Sequence, residues 1–84
     1  MKTTGGDEEA KRRAGESAAA LVEPGTVVGL GTGSTAAHAI RRLGEEVEEG
    51  LDVVGVPTSF QSRELAREVG VPLRGLDEGD GIDL

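Results

Sequence analysis

Val27-Val28-Gly29-Leu30-Gly31-Thr32-Gly33-Ser34-Thr35-Ala36-Ala37 is the stretch on which the fold of this chain turns. Two β-branched residues lead into three glycines at alternate positions, then two hydroxyl residues and a helix-forming run. A strand that ends in a glycine turn and opens a helix leaves several backbone N–H groups without intrahelical acceptors. Those groups lie at the positive end of the helix dipole, where an anion is favoured. Glycine lets the backbone come close to such an anion and adopt φ > 0 where the turn needs it. Ser34 and Thr35 add hydroxyl donors and are equally suited to cap the helix. The pattern reads as a phosphate cradle.

The flanking sequence alternates strand and helix. Thr26 to Leu30 is nearly all apolar, as in a strand covered on both faces. After the turn, Ala36, Ile40, Leu43 and Val47 fall on one helical face, and Arg41, Arg42, Glu45, Glu46, Glu48 and Glu49 take the others. Gly50 is a C-terminal stop. Leu51 to Val56 reads as a second strand bounded by Pro57. Thr58 and Gln61 have capping-box spacing for a third helix, with Leu65, Ala66 and Val69 inward and Gly70 as its stop. Val71 to Arg74 is a short edge strand, because Pro72 lacks a ladder donor. Gly75 to Gly81 is an acidic turn, and Ile82-Asp83-Leu84 reads as the start of another strand.

Upstream, residues 1–6 are polar and glycine-containing and are expected to form a flexible amino terminus, with the folded part spanning 7–84. Asp7 is placed to cap a first helix whose opening turn carries Glu8 and Glu9. Ala10, Ala14, Ala18, Leu21 and Val22 mark its apolar face, which is expected to pack closely on a sheet before Pro24-Gly25 ends the helix. Short connections between these elements predict an α/β fold: Rossmann-like βαβ units, a mostly parallel sheet, and a sheet incomplete at the carboxyl end. Ligands of such sheets gather at the carboxyl ends of the strands, where the Gly31–Thr35 turn lies.

Composition narrows the function classes. The 84 residues make one small domain with a single aromatic, Phe60, so its core rests on Val, Leu, Ile and Ala. No cysteine is present and only one histidine, which removes disulfides and disfavours a structural zinc site. A net charge of −7 disfavours nucleic acid and anionic membrane surfaces as partners. An acidic surface with only two lysines suits either ordinary solubility or a high-salt host. No apolar run approaches the ~18 residues of a membrane span, and Met1-Lys2 does not open a signal peptide, so a cytoplasmic location is expected.

Three phosphate motifs compete for the glycine turn. A P-loop needs a Lys-Ser/Thr pair after its last glycine, and none is present. Gly31-Thr32-Gly33-Ser34-Thr35-Ala36 fits the dinucleotide pattern G-x-G-x-x-A, but Val56-Pro57-Thr58 offers no acidic residue for a ribose hydroxyl. A turn for a small phosphorylated metabolite remains.

The run from Pro24 to Ala37 resembles the amino-terminal signature of the type A ribose-5-phosphate isomerase family. Val56-Pro57-Thr58-Ser59-Phe60-Gln61-Ser62, Val71-Pro72-Leu73 and Leu76-Asp77-Glu78 resemble segments that follow it. The similarity runs from about Lys11 to Leu84. It implies that Thr32, Gly33, Ser34 and Thr35, the family's T-G-S-T turn, hold the phosphate of a sugar phosphate, and that Lys11 reaches the same region. It implies interconversion of ribose 5-phosphate and ribulose 5-phosphate in the pentose phosphate pathway, with no metal or organic cofactor, by an intact protein expected to be a homo-oligomer. The family's base and its D-G-A-D and K-G-G motifs are not in this sequence, so no catalytic residue is assigned. Asp80 and Asp83 share the three-residue spacing but precede the strand that D-G-A-D would close. The second function class is a non-catalytic phosphosugar-binding module; the lack of a helix-turn-helix before the first strand weighs against a regulator.

Plainer roles stand beside these. Lys11 lies three residues after Glu8, the spacing of an exposed ion pair. His38 is read as a packed or half-exposed side chain without a carboxylate partner. Asp77, Glu78, Asp80 and Asp83 read as a solvated acidic turn, and their spacing matches no calcium loop.

Overall fold

The computed structural model describes residues 4–75. Five elements follow in order: α1 (Thr4–Ala20), β1 (Thr26–Leu30), α2 (Ser34–Glu48), β2 (Val53–Pro57) and α3 (Phe60–Val69). β1 and β2 pair in parallel, with Thr26 opposite Val53, Val28 opposite Gly55 and Leu30 opposite Pro57. The expected α/β class and parallel pairing are therefore present. The acidic turn after Gly75 and the expected strand at 82–84 lie outside the described residues.

The third strand expected at Val71–Arg74 shrinks to one parallel bridge, Gly55 to Leu73. Gly55 N–H donates to Pro72 O at 2.7 Å, and Arg74 N–H donates to Gly55 O at 3.0 Å. Pro72 can accept on that edge but has no N–H with which to extend the ladder.

α2 packs against α1 on one side and α3 on the other. Ile40 and Leu43 of α2 are buried with Val28 and Leu30 of β1, Val53 of β2 and Ala66 of α3. This is the α2 face read from the sequence, with Gly44 added. Gly44 lets α3 approach: a Cβ built there would sit 2.7 Å from both Val69 Cβ and Val69 O.

α1 departs from expectation in two ways. It begins at Thr4, so Asp7 lies inside the helix rather than capping it. Its inward face is also different: Ala10, Ala14, Ala18 and Leu21 are exposed, Gly15 and Ala19 are buried, and Val22 is half-buried. One residue along a helix is a rotation of about 100°, which separates the alanine stripe from the Gly15–Ala19 ridge. The partner decides this. At Gly15 α1 meets the backbone of α2 so closely that a Cβ would lie 2.5 Å from Thr35 O and 2.8 Å from Ala39 N. Only the residue without a side chain fits that crossing, so α1 docks through it on a helix rather than through alanines on a sheet. Leu21 and Phe60 are left 73% and 74% exposed.

Candidate functional site

The glycine turn sits where the sequence places it, at the carboxyl end of β1. Leu30 closes the strand, Gly33 is the N-cap of α2, and Ser34 is its first helical residue. Gly33 has φ 98° and ψ 172°, a conformation essentially confined to glycine. The first intrahelical bond runs from Ala37 N–H to Gly33 O at 2.9 Å. The N–H groups of Ser34, Thr35 and Ala36 thus lie ahead of the first acceptor, and no side chain caps them. Ser34 and Thr35 are therefore not caps; they are the first and second helical residues, with exposed hydroxyls.

Two contacts tie this turn to the segment that follows β2. Leu30 O accepts from both Thr58 N–H, at 3.1 Å, and Thr58 Oγ1, at 2.6 Å. Thr32 Oγ1 donates to Gln61 Oε1 at 3.2 Å. Both residues that the sequence assigns to a capping box at α3 are thus engaged with the turn instead. The box forms one residue later: Ser59 Oγ accepts from Ser62 N–H at 3.1 Å, and Ser62 Oγ accepts from Ser59 N–H at 3.2 Å. The result is a cleft of about 200 Å³ between the two helix starts, lined by Gly31, Thr32, Gly33, Ser34, Gln61 and Ser62 among others. Amides and hydroxyls supply its polar groups, and no carboxylate or histidine is among its described lining residues.

Thr32, Gly33 and Ser34 therefore converge on one cleft, with Thr35 following in the helix. Lys11 is not on its lining; it is exposed on α1 and has no ion pair among the described residues. Nor does it pair with Glu8. Glu8 Oε2 lies 2.6 Å from Nε2 of His38, so His38 has the carboxylate partner that the sequence did not indicate. The hydrogen bond from His38 is the main cause holding the Glu8 carboxyl below its ordinary range; the charges of His38, Lys11 and Arg41 act the same way, against partial desolvation. Lys11 lies between Glu8 and Gly15, the points at which α1 meets His38 and the Thr35 carbonyl.

The contacts of Gln61 and Thr58 with the turn join residues 28 and 29 positions apart, beyond the reach of local sequence pattern. The signal available was the Val56–Ser62 resemblance, which marks the segment without giving its contacts. Among the described residues no group of three or more His, Asp or Glu could hold a metal ion. No described helix is long and apolar enough to cross a membrane.

The resemblance read from these motifs extends over the whole chain. It is 70% identical over 83 residues to ribose-5-phosphate isomerase A of Halorubrum lacusprofundi, which covers 99% of this chain and 35% of that protein. The solved ribose 5-phosphate isomerase A of Methanocaldococcus jannaschii superposes with a TM-score of 0.86 at 49% identity, over 92% of this chain and 34% of that one. A D-ribose-5-phosphate isomerase solved in complex with phospho-erythronic acid superposes with a TM-score of 0.87 at 47% identity, over 90% of this chain and 34% of its own. No protein-family model matches the chain. The chain spans about a third of the length of the relatives it matches.

Proposed function

We propose that this chain is the phosphate-gripping amino-terminal part of a ribose-5-phosphate isomerase A, acting on ribose 5-phosphate and ribulose 5-phosphate. The observation that carries the reading is the uncapped start of α2. Gly33 leaves the N–H groups of Ser34 and Thr35 facing outward at the positive end of the dipole, beside the hydroxyls of Thr32, Ser34 and Thr35. Lys11 contributes its ammonium from α1 to the same anion. Phosphate held in this way fixes one end of the sugar, and the remote grip helps to orient the reacting carbons.

The chemistry at the other end needs a base within hydrogen-bond reach of a carbon-bound proton, and donors for the enediolate oxygen. Among the described residues the cleft has donors but no carboxylate or histidine, which supports a base supplied from elsewhere in the intact protein. The 84-residue chain alone therefore binds the phosphate and does not turn the substrate over. In the intact protein the reaction runs in the cytoplasm without a cofactor, in a homo-oligomer.

Titration with ribose 5-phosphate, followed by amide chemical shifts and by an assay for ribulose 5-phosphate, tests both halves. The largest shifts are expected at Gly33, Ser34 and Thr35, with no turnover. Shifts centred elsewhere would remove the cradle. Turnover abolished by changing a carboxylate within this chain would place the base among these residues.

A further inference from the structure

On the opposite flank of α3 lies a cavity of about 630 Å³ that the phosphate turn does not share. Arg63 and Arg67, one helical turn apart on α3, line it together with Arg74 from the bridging segment, over a floor that includes Pro57 and Leu73. No carboxylate is among its described lining residues. In a chain of net charge −7, three arginines thus line one cavity with no acid among its described lining residues.

Of the four described arginines elsewhere in the chain, three are ion-paired and Arg41 is not. Arg12 pairs with Glu9 and Glu16, Arg13 with Glu9, and Arg42 with Glu45 and Glu46. Glu64 precedes Arg67 by the same three residues that separate Glu9 from Arg12, yet no ion pair forms there among the described residues. The Nε of Arg74 is shut off from solvent and has no hydrogen-bond acceptor. A buried donor left unmade costs free energy, and three like charges around one cavity repel. An oxyanion that takes the free edges of these guanidiniums relieves the repulsion. The planar forks of arginine match phosphate oxygens in pairs, which a lysine cannot do.

We propose that the Arg63–Arg67–Arg74 cavity is a second anion site, specific for a multiply charged oxyanion of the phosphate class and separate from the Gly33–Thr35 turn. α3 divides the two sites. Gln61, Ser62 and Leu65 line the turn's cleft, whereas Arg63 and Arg67 line this cavity. Each can therefore fill without the other.

The test is titration of the 84-residue chain with inorganic phosphate, against sodium chloride at matched ionic strength, following arginine Nε–H and backbone amide signals. The expected result is saturable shifts of the Arg63, Arg67 and Arg74 Nε–H signals with phosphate but not with chloride. In the double variant Arg63→Gln, Arg67→Gln, phosphate affinity read at Arg74 should fall about tenfold or more, the loss of charge-assisted hydrogen bonds. The response of the Ser34 and Thr35 amides should stay as it was, so failure here is separable from failure of the turn. Both substitutions are at exposed helix positions, and the amide spectrum reports whether the variant keeps its fold. Equal shifts with chloride, or an unchanged affinity in the folded double variant, overturn the proposal. So does a cavity that ignores phosphate but responds when Asp77, Glu78 and Asp80 are neutralised, since its anion is then the chain's own.

Discussion

α2 and α3 both start just past the carboxyl end of a parallel strand, and both present a helix dipole to the same cleft, yet they end differently. At α3, Ser59 and Ser62 satisfy each other's backbone N–H groups in a reciprocal box, and Ser62 is buried. At α2, Gly33 offers no side chain, and the first three helical N–H groups are left outward. The dipoles are alike; the caps are not. A capped start is closed to a ligand and stabilises the fold, whereas an uncapped start keeps its donors for an anion and forgoes that stabilisation. The closed start then serves the open one, because Thr58 and Gln61 beside the box hold Leu30 O and Thr32.

Substitution of Gly33 should break the contrast most severely. Gly33→Ala puts a Cβ on a residue at φ 98°, which should cost about 1–3 kcal/mol of stability and should also misdirect the Ser34 and Thr35 amides. Urea denaturation reads the first effect and phosphate titration of folded protein the second. An alanine variant as stable and as phosphate-responsive as the parent would show that the turn does not need glycine geometry.

Next in size is the charge brought to the open start. Lys11→Ala should weaken phosphate binding at the turn by roughly 1–3 kcal/mol if its ammonium makes a charge-assisted hydrogen bond there. Calorimetric titration of the two proteins measures the difference; equal affinities would return Lys11 to an exposed surface side chain.

The closed start should respond in the opposite sense. Ser59→Ala should lower stability by about 1 kcal/mol and leave phosphate affinity at the Ser34 and Thr35 amides unchanged. Paired denaturation and titration curves sharpen the comparison. A loss of binding equal to that of Gly33→Ala would mean that the two starts act as one unit.

The smallest effect concerns the contact that holds α1 across α2. His38 keeps the Glu8 carboxyl below its ordinary range in the folded protein, so the stabilisation is present above the ordinary carboxylate range. It fades as pH falls through the depressed folded value, because the unfolded chain takes up that proton first. Carboxyl titration by NMR in the parent and in His38→Ala should show Glu8 moving up towards its ordinary range in the variant. No movement would mean that the pair does not hold α1.

The open start was legible because all of its determinants are local. A β-branched run, glycines at alternate positions and a strongly two-sided helix occupy adjacent residues, and each constrains its own backbone before any partner arrives. The closed start was misread by one residue for a tertiary reason. Thr58 and Ser59 carry equivalent hydroxyls in sequence, and the choice falls to Ser59 because Leu30 O, 28 positions away, takes the hydroxyl of Thr58. The partner of His38 escapes local reading for the same reason, its acid lying 30 positions away on another helix.

The sequence by itself thus determined the α/β class, the order of elements, the turn from Gly31 to Thr35 and the inner face of α2. It did so because periodicity, glycine and hydroxyl placement act within a few residues. Only the tertiary structure decided which face of α1 turns inward, which serine caps α3, and which side chains reach the cleft. An alanine stripe promises packing but does not name its partner. Once α2 presents the Thr35 carbonyl within 2.5 Å of where a Cβ would stand, contact goes to Gly15, and the stripe stays outside.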